Sequence, residues 1–149
     1  MPEEKTILIV DDDNAIATSL GALIGSWGYQ VIYAEDGVGA SLQLQKHRTD
    51  LVILDYQLPG GNGAAIYERL KISNKFRHLP VLFVSAHTLN EIDPRIRQIK
   101  DIRFLNKPID QNLLKKYIQE LLAPPGSVPQ SPSPAPGAAA NPQGQEPKP

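Results

Sequence analysis

Five short apolar runs, each separated from the next by a segment long enough for a helix, constrain this chain more than any other feature. They fall at residues 7–10, 31–33, 51–54, 81–84 and 102–105. The first, third and fourth are nearly unbroken and rich in β-branched residues, as expected for strands covered on both faces of a parallel sheet. Parallel neighbours need a crossover, and the gaps supply one helix each. Ala15, Ile16, Leu20, Leu23, Ile24 and Trp27 mark one face of a first helix, closed by Gly28. In the second gap Val38, Ala40, Leu42 and Leu44 alternate with period two, which alone suggests a strand. The Ser, Gln and Lys content there, and the alternating layout of the chain, favour a helix. Ile66 and Leu70, with Tyr67, mark a third helix, and Pro94 starts or shortens a fourth. Leu113, Leu114, Tyr117, Ile118, Leu121 and Leu122 form a strongly amphipathic last helix before Pro124. The βα alternation predicts an α/β domain with a doubly wound, five-stranded parallel sheet and right-handed crossovers.

Composition sets the limits of that domain. Nine of the 14 prolines lie after Ala123, together with three glycines and only two charges, Glu146 and Lys148. Such a segment cannot bury enough apolar surface to offset its ordering entropy, so residues 123–149 are expected to form a disordered tail or linker. About 122 residues remain, enough for one core and too few for two. The absence of cysteine excludes a disulfide scaffold and thiolate chemistry, and fits a reducing compartment. Fifteen basic residues balance 16 acidic ones without a run of either sign, which argues against a nucleic-acid or anionic-membrane partner. No apolar run is long enough to span a bilayer, and the acidic start of the chain does not read as a signal peptide. The expectation is a cytoplasmic domain.

In doubly wound sheets, sites form beyond the carboxyl ends of the strands, where strand order reverses. There the sequence has Asp11, Asp12 and Asp13 after the first run, Asp55 after the third, Ser85 after the fourth and Lys107-Pro108 after the fifth. Clustered carboxylates repel unless a cation joins them. Hard oxygen ligands with open positions suit Mg²⁺, while Lys107 and Ser85 can serve further oxygens. Together they form a cradle for a phosphoryl group with an aspartate as nucleophile. Taken singly, each residue has an ordinary reading. Asp13 is best read as the cap of the first helix, and lone carboxylates, hydroxyls and lysines after strands are commonly turn or surface groups.

In these residues the chain resembles the receiver domain of bacterial two-component response regulators, a flavodoxin-like (βα)5 fold. The likeness rests on residues 7–13, 51–63, 81–86 and 104–108, and covers residues 5–122. The spacings are those of the family: 44 residues from Asp11 to Asp55, 30 to Ser85 and 22 to Lys107. The resemblance implies that Asp55 accepts a phosphoryl group from the phosphohistidine of a sensor kinase or histidine phosphotransfer protein. It implies Mg²⁺ held by Asp12, Asp55 and the backbone carbonyl of Gln57, with Asp11 reaching the ion through water. Ser85 and Phe104 take the switch positions, Lys107 the basic position, and the Lys107-Pro108 bond would be cis. Leu58 stands where methionine is more usual, and Gly60-Gly61 loosens the loop. Phe104 can equally be a plain core aromatic. No enzymatic turnover is implied beyond self-phosphorylation and self-dephosphorylation.

Other phosphate and metal chemistries fit less well. Gln57 occupies the position where a haloacid-dehalogenase phosphatase needs a second acid, no P-loop motif is present, and Asp11–Ala22 fails as an EF-hand loop. The alternative that keeps the fold is a protein-interaction module with a vestigial site. No output domain follows Leu122 in this sequence, so the tail suits either a stand-alone receiver acting through an unidentified protein target or a receiver linked to further chain. The face built from the fourth helix, fifth strand and last helix is the expected output surface.

Overall fold

The computed structural model describes residues 4–58, 61–86, 94 and 102–123. Pro59 and Gly60, the fourth expected helix apart from Pro94, and the expected tail from residue 124 lie outside the described residues. In chain order the elements are β1 (Thr6–Val10), α1 (Asn14–Ser26), β2 (Gln30–Ala34), α2 (Gly37–Lys46), β3 (Leu51–Asp55), β4 (Gln57–Leu58), β5 (Gly61–Asn62), α3 (Gly63–Ile72), β6 (Val81–Ser85), β7 (Ile102–Asn106) and α4 (Gln111–Leu122). The five long strands form one parallel sheet in the order β2-β1-β3-β6-β7. Strand order therefore reverses beside β1, as the doubly wound reading requires.

Successive strand residues point to opposite faces, and each face is covered. Leu8, Val10, Val52, Leu54, Val81 and Phe83 pack toward Ala40 and Leu44 of α2 and Tyr67 and Leu70 of α3. Ile7, Ile9, Leu51, Ile53, Leu82 and Val84 pack toward Leu20 and Ile24 of α1 and Leu114 and Ile118 of α4. Every residue of β3 and β6 is buried. Each such aliphatic side chain contributes about 1.5–3 kcal/mol by leaving water.

Three of the four helices named above begin where an aspartate caps them. Asp13, Asp36 and Asp110 accept from the amides of Ile16, Gly39 and Leu113 at 3.1, 2.8 and 3.1 Å. Each cap is worth about 1 kcal/mol. The ambiguous second crossover is a helix: Ala40 and Leu44, four residues apart, are buried, whereas Val38 and Leu42 are 70% and 55% exposed. The period-two pattern was thus two helical faces superposed. In α1 the buried face runs through Ala17, Leu20, Gly21 and Ile24, and Ala15 is exposed. Gly21 is buried because the Tyr33 ring lies where its Cβ would be. After Trp27 the chain reverses at Gly28, with φ +98°.

One element was absent from the sequence reading. Gln57 and Leu58 pair antiparallel with Asn62 and Gly61, a hairpin between β3 and α3. The Gly61 that was expected to loosen this loop is part of the pairing. Two-residue strands are too short to carry a periodic signal. Among the described residues, no helix is long and apolar enough to cross a membrane.

Candidate functional site

The register of the sheet assembles the site. Val10 lies opposite Leu54, so the residues one step further, Asp11 and Asp55, emerge side by side. Asp55 in turn pairs with Val84, which sets Ser85 just beyond, and Ser85 pairs with Asn106, the residue before Lys107. Asp11, Asp55 and Ser85 are the buried polar residues among those described, at 5%, 6% and 2% exposure, while Asp12 is exposed.

The two buried carboxylates are held in place. Asp11 extends the β1 ladder by donating its amide to the Ala34 carbonyl at 3.0 Å. Its Oδ1 accepts from the Asp13 amide at 2.9 Å, and its Oδ2 faces the Lys107 ammonium at 3.4 Å. Asp55 Oδ1 accepts from the Gln57 amide at 3.0 Å, and its Oδ2 accepts from Lys107 Nζ at 3.2 Å. Lys107 is itself anchored, since its amide donates to the Ser85 carbonyl at 2.9 Å, and the Lys107-Pro108 bond is cis. One carboxylate oxygen each from Asp11, Asp12 and Asp55 lie within 4.8 Å of one another.

The electrostatics show strain that a cation relieves. Burial pushes the Asp55 carboxyl above its ordinary 3.8; the Gln57 amide and Lys107 oppose this without cancelling it, and the Asp11 charge adds to it. Burial works to lower Lys107, but the charges of Asp55 and Asp11 outweigh it and hold the ammonium above its ordinary 10.5. One ammonium thus faces a group of three carboxylates. An all-oxygen, net-negative donor set of this kind fits a hard divalent ion such as Mg²⁺.

Beneath the rim lies a chain of rings. Phe104 sits opposite Phe83 in the β6–β7 register and stacks on it, with centroids 5.3 Å apart and planes at 13°. Phe83 is fully buried and meets Tyr56 at 5.9 Å and Tyr67 at 5.8 Å, while Phe104 is only partly buried. All the residues singled out from the sequence except Phe104 gather at the rim. The Asp13 and Gln57 amides, each two residues after the carboxylate it serves, escaped sequence reasoning; Gly63, which follows the β4–β5 hairpin, is a third contributor. The Gly63 amide donates to the Tyr56 carbonyl at 2.6 Å, and a Cβ there would stand 2.5 Å from the Asp55 carbonyl oxygen. An Asp two residues ahead of a turn amide is a known local pattern and could have flagged the first two.

Residues 7–119 match the response regulator receiver domain family. The chain belongs to that family. It is 33% identical over 105 residues to the polar-differentiation response regulator DivK of Brucella anthropi, a match covering 70% of this chain and 85% of the relative. Among solved structures, the CheY-like response regulator receiver domain of Methylobacillus flagellatus superposes with a TM-score of 0.72 at 26% identity, covering 80% of this chain and 99% of that one. The Vibrio cholerae chemotaxis protein CheY4 gives 0.71 at 26% identity, covering 80% and 100%. The receiver domain is a signalling module of two-component phosphorelays. Receivers typically use Mg²⁺ and interact with sensor kinases or phosphotransfer proteins and with downstream targets.

Proposed function

We propose that Asp55 is the phosphoacceptor of this receiver, within a domain spanning residues 5–122 and followed by a tail at 123–149. One observation carries the reading: the Asp55 carboxylate is fixed by the Gln57 amide and Lys107, with oxygens of Asp11 and Asp12 close by. A carboxylate oxygen of Asp55 attacks the phosphorus of a phosphohistidine. The O–P bond forms as the P–N bond breaks, and the electron pair stays on the imidazole. Lys107 then pairs with the phosphoryl oxygens in place of the lone carboxylate, and the Ser85 hydroxyl donates to another of them. Asp12, Asp55 and the Gln57 carbonyl would hold Mg²⁺, with Asp11 acting through water. The ion would supply positive charge to the phosphoryl oxygens. The phosphoryl donor is a sensor histidine kinase or histidine phosphotransfer protein in the cytoplasm. Output is an altered protein contact, with Phe104 as the residue that changes.

Incubation with acetyl phosphate and Mg²⁺, followed by intact-mass analysis, tests the assignment. One hydroxylamine-labile phosphoryl group is expected, absent in Asp55→Asn. Label that persists in the mutant overturns Asp55 as acceptor. No label in either protein favours a receiver fold used only for protein contact.

A further inference from the structure

The opposite rim of the sheet, at the amino ends of the strands, carries a second feature that phosphotransfer does not use. The end of α2 and the segment between α3 and β6 border a cleft of about 570 Å³, within the range of small-ligand sites. Its rim bears the cations Lys46, Arg48 and Lys75 and the imidazoles His47 and His78. The carboxylate among the lining residues is Asp50, and it is already engaged: it accepts from the Thr6 amide at 2.9 Å and lies 3.8 Å from Arg48. Lys46 and Lys75 have no carboxylate partner among the described residues, although Lys75 lies over the Phe76 ring at 5.3 Å. The floor is apolar, built from Leu44 and Leu79, which are 5% and 9% exposed.

We infer that this cleft binds a phosphate-bearing anion. The cations come from two separate segments, the end of α2 and the chain between α3 and β6, and line one cleft, so more than one of them is available to a single anion. Such convergence separates a binding cleft from scattered surface lysines. The placement of charge favours the same ligand: among the described residues the cluster of three carboxylates lies at the carboxyl ends of the strands, away from this cleft. The apolar floor allows the phosphates to carry an organic body.

Inorganic tripolyphosphate and adenosine triphosphate serve as probes, titrated into the full chain at low ionic strength with EDTA, so that no divalent ion can recruit them to the acidic rim. Amide NMR shifts should move saturably at residues 44–50 and 75–80. Lys46→Ala with Lys75→Ala should weaken binding by about tenfold or more, and Asp55→Asn should leave it unchanged. Equal affinity for the two probes would identify the phosphates as the recognised group. Tighter nucleotide binding would add the organic body. Absence of saturation at millimolar probe, shifts confined to other residues, or unchanged affinity in the double variant overturns the proposal, as does binding of an acidic peptide where neither phosphate probe binds. Loss of phosphotransfer would not bear on it, because the two sites occupy opposite ends of the sheet.

Discussion

Replacing Lys107 by methionine removes the ammonium from between Asp11 and Asp55 while keeping most of the side chain's volume. At 3.4 and 3.2 Å, each charge contact is worth about 5 kcal/mol at an effective dielectric constant of about 20. Much of that gain is offset by desolvation, since both carboxylates and the ammonium leave bulk water. Breaking a buried pair costs about 3–5 kcal/mol. The Lys107 side chain is 22% exposed, so the lower end applies and about 3 kcal/mol is expected in the metal-free protein. For a domain of this size that lowers Tm by roughly 12 °C. Millimolar Mg²⁺ should recover more stability in the variant than in wild type, because the ion no longer competes with an ammonium for the same oxygens. The pH dependence has a defined sign. Lys107 is raised above 10.5, so its contribution is intact below that value and fades only as pH rises beyond it. Thermal melts with EDTA and with Mg²⁺ provide the measurement. A metal-free loss under about 1 kcal/mol, as at an exposed ion pair, or a Mg²⁺ gain no larger than in wild type, refutes the electrostatic argument.

The raised Asp55 carboxyl opposes folding once it ionises, so metal-free stability should climb as pH falls toward 3.8, and Asp55→Asn should melt higher than wild type at neutral pH and lose that part of the pH dependence. A variant that melts at or below wild type under EDTA contradicts this. Asp12 is exposed and contributes an oxygen to the acidic cluster, so Asp12→Ala should abolish the Mg²⁺-induced rise in Tm with little change to the metal-free protein; an undiminished rise places the ion elsewhere. Gly63→Ala forces a methyl against the backbone of Asp55 and Tyr56 and should cost about 1–3 kcal/mol in denaturant titrations, with slower labelling by acetyl phosphate. Ser85→Ala should still accept label but show smaller NMR shift changes at residues 86–107 on phosphorylation, and identical changes would remove the hydroxyl from the output mechanism.

The strands were legible because burial on both faces writes itself into sequence as unbroken apolar runs, and β3 and β6 have no exposed residue to interrupt the pattern. The site was legible for a related reason: in a parallel sheet all strand ends of one kind share a rim, so Asp11, Asp55, Ser85 and Lys107 converge without any knowledge of packing. Faces were harder. Val38 and Leu42 are apolar yet exposed on α2, and Gly21 is buried on α1 only because Tyr33 crosses over it. Both depend on which way each helix faces its neighbours, which residue type alone does not encode. The β4–β5 hairpin escaped because two paired residues per strand generate no period.

The geometry also bears on how a change at Asp55 could reach a partner. Ser85 ends β6, and Phe83, two residues earlier on that strand, carries the Phe104 ring of β7. In the proposed mechanism, a phosphoryl group that draws on the Ser85 hydroxyl and on Lys107 pulls at the carboxyl ends of both strands of this pair. Phe83 is fully buried and meets Tyr56 and Tyr67, whereas Phe104, stacked on Phe83, is partly exposed. A stacked aromatic pair is worth only about 0.5–1.5 kcal/mol beyond its area, so modest differential binding of the phosphoryl group can repopulate Phe104. On that proposal the buried Phe83 transmits the change and the partly exposed Phe104 displays it. The proposed mechanism thus assigns the β7 face, and not the interior of the domain, as the surface where phosphorylation would become visible to another protein.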